Sequence, residues 1–125
     1  MSAAVVVLST AGSQDEAERI ATVLVTERLA ACVNLVGPIG SIYRWQREVE
    51  RAAEVLLVIK TRRARVAALV ARLRALHSYE VPEAIVLPIV AGAAPYLRWV
   101  MAESAPAPKA RLRRPRRPAP RKRQR

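Results

Sequence analysis

The chain has 125 residues, with 22 Lys or Arg against 10 Asp or Glu, one histidine and one cysteine. That length suits one small domain with one core. The lone Cys32 excludes an intrachain disulfide framework and suits a reducing compartment. The formal charge of +12 is very uneven, because residues 109–125 carry ten Lys or Arg and no acid, which leaves +2 for residues 1–108. The N-terminus has no basic region, and Val5-Val6-Val7-Leu8 is too short for a signal core. The longest uncharged stretch, Ala84 to Leu97, is fourteen residues broken by Pro88, Gly92 and Pro95, too short and too interrupted to span a bilayer. A cytoplasmic location is expected.

Taken in chain order, Ala4 to Ser9 is an apolar, β-branched run and reads as a fully buried strand. Ser13 with Glu16 three residues on forms a capping-box pattern, and the helix it opens is expected to reach about Leu29. Ala17, Ile20, Ala21 and Leu24 form its inner face. Cys32 to Trp45 reads as a long strand broken near Gly37-Pro38, and Cys32 itself as a small core hydrophobe. Glu48 to Thr61 is its partner through a turn at Gln46-Arg47. Arg62 to Leu76 is the clearest helix, with Val66, Leu69, Val70, Leu73 and Leu76 in one stripe. Glu83 to Val90 is the last strand, and Pro95 starts a short helix that carries Tyr96 and Trp99.

This order, β-α-β-β-α-β plus a terminal helix, predicts an α+β ferredoxin-like fold with both crossover helices on one face of an antiparallel sheet. The opposite face would meet water and should alternate with polar residues. Val5-Val6-Val7-Leu8, Val55-Leu56-Leu57-Val58-Ile59 and Ile85-Val86-Leu87 leave little that is polar for it. A homo-oligomer packing sheet against sheet is the economical consequence.

The densest chemistry lies in His-Ser-Tyr-Glu-Val-Pro-Glu at 77–83. Polar groups between a helix and a strand can face a ligand. They can equally serve as a helix end and loop packing. As metal ligands the sequence offers His77 with Glu80 or Glu83, fewer than the three or four that Cu(II) or Zn(II) usually takes. As a ligand cleft it offers Tyr43, Trp45, Lys60, His77, Tyr79, Glu80 and Trp99, an aromatic wall with a lysine and a carboxylate. Tyr43 and Trp45 serve a subunit seam just as well. Four scattered glycines make no phosphate cradle, and no nucleophile–base pair is evident, so no enzymatic activity is expected.

The C-terminal stretch concentrates Lys109, Arg111, Arg113, Arg114, Arg116, Arg117, Arg121, Lys122, Arg123 and Arg125, with Pro106, Pro108, Pro115, Pro118 and Pro120 interspersed. Residues 106–125 are therefore expected to be a disordered basic tail after a domain at 1–105. Such charge suits salt-sensitive contact with nucleic acid or another polyanion, or simple solubilisation; with no aromatic residue, base preference is not expected.

Glu27-Arg-Leu-Ala-Ala-Cys-Val-Asn34, Ser41-Ile-Tyr-Arg-Trp-Gln-Arg-Glu-Val-Glu50, Leu56-Leu-Val-Ile-Lys-Thr61, the 77–83 stretch and Pro95-Tyr-Leu-Arg-Trp99 together resemble the CutA family of divalent-cation tolerance proteins. The resemblance covers roughly residues 3–103 and leaves out the basic tail. It implies a ferredoxin-like subunit in a tight cytoplasmic homotrimer with strand pairing between subunits. It also implies a part in tolerance of copper and other divalent cations, which some members bind. The assembly is similar to the trimeric nitrogen-regulatory signalling proteins, so small-ligand sensing is the competing role. Ser78 stands where many relatives have proline, and Arg47 where many have glycine, which should strain the hairpin turn. Ser9 and Leu76 stand where some metal-binding relatives have cysteine and a second histidine, so this chain has fewer ligands to offer.

Overall fold

The computed structural model describes residues 3–108, so the basic segment 109–125, with its expected disorder, lies outside the described residues. The elements are β1 (Ala4–Ala11), α1 (Gln14–Thr26), β2 (Cys32–Trp45), β3 (Glu48–Arg62), a 3₁₀ turn (Arg63–Arg65), α2 (Val66–Leu76), β4 (Ile85–Pro88) and α3 (Ala94–Glu103). The four strands form one sheet in the order β2-β3-β1-β4, with every neighbouring pair antiparallel. This is the α+β arrangement that the element order predicts.

Side-chain alternation sorts the sheet into two faces. Val5, Val7 and Ala11 of β1 share one face with Val55, Leu57 and Ile59 of β3. They close on Ala17, Ile20 and Leu24 of α1 and on Leu69 and Leu73 of α2 to make the main core. Ser9 also points there, fully buried, and its Oγ has no hydrogen-bond partner. An unmatched hydroxyl in an apolar core is unfavourable, so Ser9→Ala should raise stability by about 1 kcal/mol, read as a higher denaturant midpoint.

The other face presents Val6, Leu8, Leu56 and Val58, all half-buried, with Val36, Ile85 and Leu87 exposed beside them. Helix α3 covers only one end of it, packing Val100 with Ala4 and Ala31. Two arginines fix that helix by its C-terminal carbonyls. Arg28 donates to the carbonyls of Ala102 (3.0 Å) and Ala105 (2.8 Å), and Arg62 donates to that of Met101. Cations at a helix C-terminus also suit its dipole. Cys32 is half-exposed at this end, its Sγ 3.8 Å from the Asn34 side chain, and not in the core as expected. Its register opposite Lys60 turns it to the outer face.

Several boundaries differ from the sequence reading. Helix α1 stops at Thr26 because Arg28 takes a left-handed φ of 61° and the N–H groups of Leu29 and Ala30 turn back onto the Leu24 carbonyl. That turn delivers Leu29 to the core. Strand β4 keeps only four of the eight expected residues, since β1 pairs with it only from Val5 to Leu8. Strand β2 does not break at Gly37-Pro38. It continues through a register shift between Val36 and Ile39, with a cis Gly37–Pro38 bond. Gly37 lets the strands approach closely there, because a Cβ would meet the Val55 side chain at a tight 3.0 Å.

Beyond the point where β1 ends opposite Val55, β2 and β3 continue together as a hairpin arm from Ile39 to Glu54. Its turn residues Gln46 and Arg47 both take positive φ, 50° and 73°, the pattern of a type I′ turn. The expected strain thus falls on two non-glycine residues. Arg47→Gly should raise stability by about 0.5–1 kcal/mol, the left-handed penalty less the entropy of glycine, measured by chemical denaturation.

Candidate functional site

The site begins with the hydroxyl of Ser13, which accepts a hydrogen bond from the Glu16 N–H (3.1 Å) and caps α1. Capping places the Glu16 side chain beside the 77–79 loop. Its carboxylate accepts from the backbone N–H of Ser78 (2.8 Å) and of Gly12 (3.3 Å), and lies 3.6 Å from His77 Nδ1. Burial opposes ionisation of this group. The hydrogen bonds from Ser78 and Gly12 outweigh it and hold the carboxyl below its usual range.

His77 follows directly on α2, and its side chain is fully buried. Nε2 lies 2.7 Å from the Thr10 carbonyl, which can only accept, so Nε2 carries the proton. Nδ1 accepts from the Tyr79 backbone N–H at 3.0 Å. Both ring nitrogens are therefore engaged, and no lone pair is left for a metal. The imidazole ties the end of β1 to the loop after α2, and the Tyr79 ring lies 4.6 Å from it. Tyr79 then reaches Glu54, its hydroxyl donating to the carboxylate at 2.6 Å. Burial, with Glu54 next in effect, raises the phenol well above its ordinary value, so it stays protonated and donating.

These contacts shape a cleft of about 570 Å³ lined by Thr10, Ser41, Ile42, Tyr43, Trp45, Glu54, Tyr79, Glu80, Val81 and Glu83. Its volume lies within the range of about 300–1,000 Å³ typical of ligand sites. Tyr43, Trp45, Tyr79 and Glu80 of the expected cleft are brought together here. Lys60 and Trp99 are not. Lys60 lies on the outer sheet face and donates to the Asn34 side chain. Trp99 sits on α3, its ring 5.7 Å from that of Tyr96. Glu54 was missed at the sequence level, although an acid between Ala53 and Val55 in an apolar strand was a usable signal. Glu80 is exposed on the rim, three residues from His77 but without the imidazole as a companion ligand. Among the described residues, no three His, Cys, Asp or Glu side chains converge to hold a metal ion. One subunit therefore does not fit a preformed divalent-cation site.

Residues 5–103 match the CutA1 divalent ion tolerance protein family. The chain belongs to that family. It is 50% identical over 95 residues to the divalent-cation tolerance protein CutA of Thermus thermophilus, covering 92% of that protein and 76% of this chain. Against human protein CutA it is 47% identical over 91 residues, 73% of this chain but only 51% of the human protein. Among solved CutA structures, that of Xylella fastidiosa superposes with a TM-score of 0.81 at 42% identity, covering 83% of this chain and all of the other. The Thermus thermophilus structure gives 0.80 at 47% identity, over 82% and 99% of the two chains. The CutA match ends at residue 103 and leaves out the basic segment 109–125.

Proposed function

We propose that this CutA-family chain serves divalent-cation tolerance as a cytoplasmic, non-enzymatic homotrimer, the subunit alone being incomplete. The observation that carries this reading is the apolar outer face of the sheet. Among the described residues no element is large enough to cover Val6, Leu8, Leu56 and Val58, while the arm leaves Ile42 and Val49 more than 60% exposed. Contiguous apolar surface of this kind marks an interface. The long free edge of β2 and the short β4 add unpaired backbone groups that strand pairing between subunits would satisfy. Sedimentation of the full chain at low micromolar concentration should give a trimer that survives dilution; a folded monomer would refute this reading. Among the described residues, no helix is long and apolar enough to cross a membrane.

Where Cu(II) or another divalent cation binds, Glu80 and Glu83 are the carboxylates free to meet it, with ligands from a second subunit completing the shell. His77 takes no part, because its nitrogens are already engaged. His77→Ala should therefore leave Cu(II) affinity by calorimetry within about twofold of wild type, and should lower stability by about 1–3 kcal/mol through the two lost hydrogen bonds. Loss of most Cu(II) affinity in that variant would show that the imidazole leaves its partners to ligate.

The aromatic wall of Tyr43, Trp45 and Tyr79 favours a second reading, small-ligand sensing in the same cleft. In that reading the ten-charge segment tethers the trimer to nucleic acid or another acidic surface. A nucleotide panel in the same calorimetry separates it from the first, since only the sensing reading expects a saturable response.

A further inference from the structure

We propose that Arg28, Arg63 and Arg65 form a phosphate-binding surface for nucleic acid on the folded body, beside the root of the basic segment. Arg63 and Arg65 lie in the 3₁₀ turn between β3 and α2, and Arg28 in the turn after α1. Backbone carbonyls hold two of them in place. Arg65 donates through Nε to the Arg28 carbonyl at 3.3 Å, and Arg28 donates to the carbonyls of Ala102 and Ala105. The Arg63 side chain is exposed and makes no hydrogen bond or ion pair among the described residues. No carboxylate answers the charge of the three. Glu27, next to Arg28 in sequence, is taken up by Arg72, which donates to both its oxygens at 3.0 Å. Glu103, the one acid of α3, forms no ion pair among the described residues.

This placement is unfavourable in the free subunit. The start of a helix carries positive partial charge and favours acids. Neither the 3₁₀ turn nor the first turn of α2 has an acid, and Arg63 and Arg65 stand there instead. The carbonyl end of α3 offsets part of the charge of Arg28 alone. A local rule broken with no compensation inside the chain is expected at a functional site.

The ligand class follows from what lies alongside. The chain passes Ala105, where Arg28 binds, four residues before Lys109, a span of at most about 14 Å. Ten further cations, eight of them arginine, thus begin next to the three that the fold has positioned. A ligand that meets both sets must carry negative charge at short, regular intervals, as a phosphodiester backbone does. Arginine suits phosphate through its paired N–H donors. An anionic membrane fits less well, because the segment has one large apolar residue, Leu112, and no aromatic one to bury in a bilayer. The surface is also open in the proposed trimer. The turn with Arg63 and Arg65 leads into the helix layer, and α2 packs on the Val55-Leu57-Ile59 face, opposite to Leu56 and Val58. Three-fold symmetry sets the three copies at one level along the axis, so one nucleic-acid strand can gain from more than one. The proposal rests on the tether reading for its ligand class and adds to it a site on the folded body.

The test follows binding of fluorescein-labelled oligo(dT) to the full chain by anisotropy. Arg63→Gln and Arg65→Gln should each weaken binding by roughly 1.5- to 5-fold, the span of one exposed ion pair. Together they should flatten the slope of log affinity against log salt by about 1.4, two phosphate contacts at ~0.7 each on a single strand. Arg63→Gln removes no side-chain bond seen within the chain, so its denaturant midpoint should match wild type. Arg63→Lys keeps the charge and should keep the slope. Arg74→Gln, about 14 Å along α2 from Arg65, removes the same charge from the body and should leave affinity and slope nearly unchanged. A full-length chain with the ten Lys and Arg of 109–125 changed to Gln should still bind oligo(dT) weakly at low salt. It should lose that binding when Arg63→Gln and Arg65→Gln are added. The proposal is overturned if Arg63→Gln and Arg65→Gln behave like Arg74→Gln. Loss of binding on neutralising the segment alone would then leave the tether reading standing, whereas a natural chain indifferent to oligo(dT) at low salt removes both. Capture by phosphatidylserine vesicles without binding of oligo(dT) would assign the arginines to a membrane instead.

Discussion

Val58→Lys should dissolve the trimer while leaving the subunit folded. Val58 sits at the centre of the outer sheet face, opposite Leu8 on β1 and Asn34 on β2, and is half-buried even in the single subunit. Packing sheet against sheet would bury it fully, and an ammonium without a partner there costs about 3–5 kcal/mol for each contact it breaks. That corresponds to a loss in association constant of roughly 10²- to 10⁴-fold. The inner face is untouched, since Leu57 and Ile59, not Val58, meet α1 and α2. Sedimentation should therefore show monomer at concentrations where wild type is trimeric, with far-ultraviolet circular dichroism preserved. Val58→Thr, similar in shape and uncharged, should remain a trimer. A trimer that tolerates Val58→Lys would move the interface to the arm and the strand edges.

Much of the fold was legible because it rests on local patterns. The stripe through Leu69 and Leu73, the Ser13 cap and the two-residue turn at Gln46-Arg47 each follow from spacing within a few residues. The apolar outer face was legible too, because β1 and β3 carry hydrophobic residues at successive positions. The site was legible only in part. Aromatic and acidic residue types singled out Tyr43, Trp45, Tyr79 and Glu80, which line one cleft, but type alone could not separate them from Lys60 or Trp99, which do not. Register decides the first: Lys60 is six residues along β3 from Glu54, about 20 Å away. The state of His77 was invisible because its partners are backbone groups, one of them 67 residues distant. Glu16 shows the same limit. Its capping position is a local signal, whereas its strongest bond, to the Ser78 N–H, crosses 62 residues.

That bond makes Glu16 the polar residue whose loss should be felt most in the folded subunit. Glu16→Ala removes the acceptor for both Gly12 and Ser78, and hydrogen bonds to an ionised carboxylate are the stronger kind. The expected cost is about 2–4 kcal/mol, moderated by partial hydration of the freed N–H groups. Glu16→Gln keeps one carbonyl oxygen to accept with, but turns an amide NH₂ toward the other donor, so it should cost less than alanine and more than nothing. The pH dependence carries a definite sign. The folded state holds the Glu16 carboxyl below its usual value of 4.5, so the folded protein releases this proton more readily than the unfolded chain. Its contribution is therefore complete above the unfolded pKa and is lost as pH falls through the lower, folded one. Denaturant midpoints measured from pH ~7 down to pH ~3 should fall less steeply in Glu16→Gln than in wild type, the two curves converging at the acid end. Parallel curves would show that Ser78 and Gly12 do not depend on the ionised carboxylate, and that the loop over the cleft is held by His77 and Tyr79 alone.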